Sequence, residues 1–341
     1  MSSQSTLFAA WGMTDTYRPQ DNAKKCKENL SGVFGDKLQP CEKGNFRCAT
    51  HNINNIPQDA WTVKSHDIAN QANGLDGADI RMWQEIGLFW PKLKNEDKWH
   101  RRLQGKNPML SSVFGYNTNE PGLSEPIQPG GTAVIAGRRL TPRLESKGVD
   151  PEGLGRWAWM RFGDNNKRHS TFISVYRPCK PSGCGISTTY EQHCRHLKPN
   201  IDPREAILID LAKFVIQQQE LGDTIIIGTD LNQDINSKKM KEFASNLSLH
   251  NSILSIHGNM SPATSQWCST GIAIDALLCS SSISPVLGGY APNGGSISDH
   301  SWLWADFKRE DLFGSSFQEY KLFVNRLNPL NSDDPRLVKK I

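Results

Sequence analysis

The 341-residue sequence predicts an α/β fold in which two packed β-sheets are flanked by helices. Three observations carry that expectation. Short β-rich runs recur from residue 46 to residue 307, each bounded by Gly, Pro, Asn or Asp. Only two stretches show helical spacing. Acids, amides and one histidine stand at the ends of the strand runs instead of being scattered along the chain.

Taken in order, residues 1–45 are polar, with no sustained periodicity, and read as an irregular N-terminal extension. The β-rich runs follow at 46–53, 78–83, 131–139, 156–162, 169–176, 223–229, 272–279 and 301–307. One helical pattern spans about 57–73, after Pro57. The other covers 203–220 and opens Asp202-Pro203-Arg204-Glu205, which supplies an N-cap, a proline at the first helical position and an early acid. Ile207, Leu211, Phe214 and Val215 then recur at helical spacing. Segments 106–130 and 178–201 read as long loops, and 309–341 as a charged tail or linker.

Hydrophobic residues make up 37% and charged residues 22%, as in a soluble globular chain with a substantial core. A net charge of +4 permits a polyanionic partner without demanding one. The apolar run from Leu7 to Met13 has no positive charge before it, unlike a secretory signal, and no run is long enough to span a membrane. The eight cysteines are therefore expected as reduced thiols, in a nuclear or cytoplasmic protein.

The strand ends carry the chemistry. They read Asn52-Ile53-Asn54, then Gln84-Glu85, Tyr176, Asp230-Leu231-Asn232, Ile274-Asp275 and Ser298-Asp299-His300. An aspartate inside an apolar strand is costly to bury without a partner, and Asp230 closes a run that begins with three isoleucines. A single such residue is more often a cap or a structural hydrogen-bonder. Several together point to a site, because carboxylates and amide oxygens are the hard ligands that Mg²⁺ needs. A histidine beside an aspartate can move protons or stabilise phosphate.

The order Asn52-Ile53-Asn54, Gln84-Glu85, Gly130-Gly131-Thr132-Ala133, Val175-Tyr176-Arg177-Pro178, Asp230-Leu231-Asn232, Ile274-Asp275 and Ser298-Asp299-His300 resembles the endonuclease/exonuclease/phosphatase superfamily across residues 46–308. The resemblance implies a four-layer α/β sandwich and a Mg²⁺-dependent phosphodiesterase, with Mn²⁺ as a possible substitute. It assigns Glu85 and Asn52 to the metal, and Asp230 with Asn232 to the attacking water. His300 supported by Asp275 would act on the phosphate, Tyr176 would contact it, and Asp299 would complete the acidic cluster. Val175-Tyr176-Arg177-Pro178 and Gly155-Arg156-Trp157 are similar to LINE-type retrotransposon and abasic-site endonucleases, which implies DNA nicking that leaves 3′-hydroxyl and 5′-phosphate ends. Alternatives on the same fold are abasic-site repair, RNA exonuclease or phosphomonoesterase activity; a binding module without catalysis is the alternative outside enzymes. The sequence departs from the pattern at Cys179, Thr229 and Ala273.

Arg177, Arg195 and Arg156 are expected to contact DNA phosphates, which position a duplex without reading its sequence. Cys179, Cys184, His193, Cys194 and His196 have a zinc-like composition but no finger spacing, and read as free thiols and surface histidines. Residues 4–11 partly resemble a sliding-clamp-binding peptide. Trp157, Trp159, Trp302 and Trp304 alternate along strands and read as core or sheet-face residues.

Overall fold

The computed structural model describes residues 34–58, 62–72, 77–94, 98–106, 110–120, 126–137, 140–163, 168–180, 188–259, 261–266, 271–291 and 297–314. The clamp-like segment 4–11 lies outside them. Thirteen strands are formed among the described residues: β1 Phe34–Gly35, β2 Asn45–Asn52, β3 Ile80–Gln84, β4 Ser111–Gly115, β5 Thr132–Ala136, β6 Leu144–Val149, β7 Trp157–Gly163, β8 His169–Tyr176, β9 Thr224–Asp230, β10 Leu249–Asn251, β11 Asp275–Ser280, β12 Pro285–Ala291 and β13 Trp302–Lys308. They make a seven-stranded sheet, β1-β12-β13-β2-β3-β5-β4, and a six-stranded sheet, β10-β11-β9-β8-β7-β6. The α-helices are α1 Val63–Ala72, α2 Trp99–Lys106, α3 Thr189–His196, α4 Pro203–Glu220, α5 Lys238–Asn246, α6 Ser252–His257 and α7 Arg309–Phe313.

The run of three isoleucines in β9 shows why the fold has four layers. Ile226 faces the other sheet and joins Phe46, Met82, Val134, Phe172 and Leu277 in the core between the sheets. Ile225 and Ile227 point the opposite way and pack with Ile207, Leu211 and Val215 of α4. A strand covered on both faces needs a continuous apolar run, not an alternating one. On the far side, Ile68 of α1 and Trp99 and Leu103 of α2 pack against Trp83, Ala133 and Ile135. The order is helices, sheet, sheet, helices, as the sequence implies.

Helix α4 has the predicted bounds, with Asp202 accepting the Arg204 amide at 2.8 Å as its cap. Several other expectations need correction. The first helix begins at Val63, not after Pro57. The expected loop 106–130 contains edge strand β4, paired with β5 from Ser111↔Ala136 to Gly115↔Thr132. The expected loop 178–201 contains α3, whose cap Thr188 accepts from the Glu191 amide. The folded unit also begins before residue 46 and continues past 308. Phe34 and Gly35 pair with Tyr290 and Gly289, and Leu312 and Phe313 of α7 are buried in the core between the sheets. Trp157, Trp302 and Trp304 are buried and Trp159 packs against the α4 layer, as their alternation suggests.

Arg156 is also corrected. Its side chain is fully buried, with Nε and Nη2 on the two Asp150 carboxylate oxygens at 2.6 and 2.8 Å and Nη1 on Asp210 at 2.9 Å. A guanidinium closed in this way is not open to a DNA phosphate; it ties the β6–β7 connection to α4. Arg156→Ala leaves Asp150 buried without its partner and is expected to cost about 3–5 kcal/mol. Urea unfolding would measure this, and a loss under about 1 kcal/mol would show that the pair is dispensable.

Candidate functional site

The two parallel strand pairs, β2 with β3 and β8 with β9, end at the same rim of the sandwich. Register does the aligning. Tyr176 lies opposite Asp230, and Asp230 opposite Asp275, so three polar side chains form one row across β8, β9 and β11. Asn52 lies opposite Gln84 in the other sheet. The sheets approach closely below this rim. A Cβ on Gly228 would lie 2.5 Å from Thr50 Oγ1, so only glycine fits there. The Gln84 amide nitrogen fills the gap, within 3.1 Å of the Gly228 carbonyl and 3.0 Å of the Ser174 hydroxyl.

Above this tether the sheets exchange hydrogen bonds directly. The Asn52 amide nitrogen donates to Asp230 Oδ2 at 2.8 Å and to Glu85 Oε2 at 3.0 Å. Tyr176 donates its hydroxyl to Glu85 Oε1 at 3.3 Å. Asn232 donates its backbone N–H to Asp230 Oδ1 at 2.8 Å, and its side-chain oxygen accepts from the Cys179 thiol at 2.9 Å. His300 Nδ1 meets Asp275 Oδ2 at 2.9 Å. Asn54 donates to Asp299 at 2.9 Å, which brings the last acid to the same rim. Asn54, Asn55, Glu85 and Asn232 all have positive φ, at 45°, 69°, 54° and 47°. Asparagine tolerates that region; glutamate seldom adopts it, so the Glu85 backbone holds strain that the site imposes.

Electrostatics follow from burial. Burial pushes the Glu85 carboxyl up, because its contacts, Asn52 and Tyr176, are neutral donors that only partly offset desolvation. Burial likewise raises Asp230, reinforced by the nearby Asp275 carboxylate. For His300 burial opposes charge, but Asp275, Asp230 and Asp299 more than reverse it and raise the imidazole. Burial and the neighbouring Glu85 hold the Tyr176 phenol well above its ordinary value, so it stays a donor. Desolvation of the sulfur, with Asp230 and Glu85 nearby, pushes the Cys179 thiol up to about 12, although the residue as a whole is exposed.

The metal-like cluster among the described residues is Asp230, Asp275 and His300, whose ligand atoms lie within 4.8 Å of one another. Two of the three are already joined as a His–Asp hydrogen bond, which orients the ring and leaves Nε2 as its remaining donor. Glu85 suits a divalent cation better, since it is a half-buried carboxylate whose partners among the described residues are the neutral donors Asn52 and Tyr176. Asn52 turns its nitrogen to the acids, and its oxygen accepts from the Asn54 amide at 2.9 Å, so its ligand capacity is the second lone pair.

The expected DNA-contacting arginines do not gather here. Arg177 is buried, donating to the carbonyls of Arg204 and Leu231 and to Gln233. Arg195 is at the surface, in a two-point ion pair with Glu120 at 2.6 Å. His196 shares that glutamate and His193 bonds the Leu154 carbonyl, so neither stands in a zinc cluster; Cys184 lies outside the described residues. The described cysteines, Cys41, Cys48, Cys179, Cys194 and Cys279, are free thiols. No helix among the described residues is long and apolar enough to cross a membrane. Sequence reasoning passed over Lys64, Arg204 and Thr264. Lys64 and Arg204 donate to backbone carbonyls of site segments, and the Thr264 hydroxyl accepts the Asp275 amide at 3.1 Å.

The geometry is that of the endonuclease/exonuclease/phosphatase fold. No protein-family model matches the sequence, and no curated relative matches it. Solved structures do match. The chain is similar to the AP endonuclease LMAP from Leishmania major, at 13% identity and TM-score 0.57, covering 86% of this chain and 99% of that one. It is similar to the 3′ phosphatase NExo from Neisseria bound to product DNA hairpin, at 14% identity and TM-score 0.51, covering 77% and 99%. An endonuclease/exonuclease/phosphatase family protein from Leptotrichia buccalis matches at 10% identity and TM-score 0.52, covering 76% and 98%.

Proposed function

We propose that this protein is a Mg²⁺-dependent phosphodiesterase that nicks duplex DNA, leaving 3′-hydroxyl and 5′-phosphate ends. The observation that supports this best is the single rim where Asn52, Glu85 and His300, at strand ends of one sheet, meet Asp230, Tyr176 and Asp275 of the other. A divalent ion held at Glu85 and Asn52 would offset charge on the phosphate and on the leaving oxygen. Asp230, raised by burial, accepts the proton of the attacking water, and the Asn232 N–H on its Oδ1 and the Asn52 amide on its Oδ2 hold the carboxylate in place. His300, with Nδ1 on Asp275, presents Nε2–H to a phosphate oxygen, and the Tyr176 hydroxyl adds a neutral donor on turning from Glu85.

The fold shared with proteins named as an AP endonuclease and as a DNA-bound 3′ phosphatase favours DNA. It also favours a second reading, cleavage at abasic sites in repair. Tyr176-Arg177-Pro178 and Gly155-Arg156-Trp157 support the nicking of intact duplex by a mobile-element type of enzyme. Supercoiled plasmid should convert to nicked circles with Mg²⁺ and not with a chelator. Intact duplex, abasic duplex, single-stranded RNA and a soluble inositol phosphate, offered side by side, separate the readings. Strong preference for the abasic duplex moves the protein to repair; preference for RNA or the inositol phosphate overturns the DNA reading.

A further inference from the structure

We infer that Lys64 is a substrate-binding residue of this site, whose ammonium holds a non-bridging oxygen of a substrate phosphate on the Asn54–Asp299 side. The inference rests on the phosphodiesterase reading and names a contact within it. With Arg156 and Arg177 closed inside the protein and Arg195 committed to Glu120, none of the arginines expected at DNA is free at the rim. Lys64 is placed differently. It is the second residue of α1, whose first turn is capped by the Thr62 hydroxyl on the Ser65 amide at 3.1 Å. Its Nζ donates to the Asn54 carbonyl, and the Asn54 side chain holds Asp299. Two residues before Asn54, Asn52 bridges Glu85 and Asp230. The cation thus stands one residue from the acidic cluster.

Its charge is under-compensated. Among the described residues its hydrogen-bond acceptor is a neutral carbonyl, and it forms no ion pair with a carboxylate there. Burial lowers its pKa to about 8 although Asp299 and Glu85 both pull the other way. A half-buried ammonium in that condition gains from an entering anion, and an ammonium suits phosphate as a point charge. One amine hydrogen on a carbonyl leaves two for such a contact.

The test uses three single variants, Lys64→Met, Lys64→Arg and Lys64→Ala, in the full chain, with circular dichroism as the folding control. KM is measured on whichever member of the substrate panel is hydrolysed, and duplex affinity is followed across salt. Lys64→Met should raise KM about tenfold, as for one lost charged contact, with kcat changed less. It should also reduce the slope of log affinity against log salt by about one. Lys64→Arg should restore most of both. An unchanged KM and slope in Lys64→Met overturns the inference. So does an arginine variant as impaired as the methionine variant, which would mark the amine as a structural tie to Asn54. If wild-type protein hydrolyses no phosphoester, the phosphodiesterase reading fails first; if it does and Lys64→Met is silent, only this inference fails.

Discussion

Glu85→Ala is expected to bring phosphodiester cleavage down to the level of the reaction without metal, while the sandwich stays folded. Glu85 follows the last residue of β3 and contributes nothing to the apolar cores; among the described residues its carboxylate accepts from the Asn52 amide and the Tyr176 hydroxyl. Removing it takes away the half-buried carboxylate best placed to hold a cation. Calorimetric titration with Mg²⁺ or Mn²⁺ should show the loss directly, apart from any activity. The stability of the metal-free protein should move the other way in Glu85→Gln. A carboxyl whose folded pKa is raised contributes stability below its unfolded value and loses it as pH rises through the folded one. Above its folded value the ionised Glu85 is therefore a liability that the amide removes. Full activity in Glu85→Ala, or in chelator, would end the metal assignment.

His300→Ala is expected to lower kcat by about 10²–10³-fold, the usual cost of a lost donor to developing charge. KM should change little, because that contact strengthens only as charge builds on phosphorus. The pH dependence of folding gives an independent readout. Burial works against the His300 imidazolium, but Asp275, Asp230 and Asp299 raise it to about 10. Its stabilising contribution is complete below its ordinary value near 6.5 and is lost as pH rises toward 10. Thermal melts from pH 7 to 10 should therefore fall more steeply for the wild type than for His300→Ala. A variant that loses only affinity and keeps its turnover would make His300 a ground-state phosphate contact.

The sequence made the site legible where burial is improbable for the residue type. Asp230 after three isoleucines and Asp275 after Ile274 could only be partnered or functional, and the structure sets them opposite each other. Helix α4 was legible because its cap, proline and apolar spacing agree. Helix α3 was not, because its Thr-Tyr-Glu-Gln-His-Cys-Arg-His sequence has no apolar stripe; the available signal was Thr188 followed three residues later by Glu191. Strand β4 hides in Ser111-Ser112-Val113-Phe114-Gly115, too short and too polar to stand out from the loop around it. The arginines misled for a different reason. Composition shows a cation but not its acceptor, and Arg156 finds Asp150 six residues before it and Asp210 fifty-four after it. Arg177 is satisfied largely by carbonyls, which carry no sequence signal at all.

The hydrogen bond between Asn52 and Asp230 joins residues 178 positions apart, and the Asn54–Asp299 contact spans 245. Closing such loops is slow, and contacts of this kind form only after each sheet has found its partner. During synthesis, Asp299 and His300 leave the ribosome after both parallel strand pairs have been made. Nascent and half-folded chains can thus acquire much of their secondary structure before the rim residues are brought together. The site is assembled only when the two sheets have closed on each other.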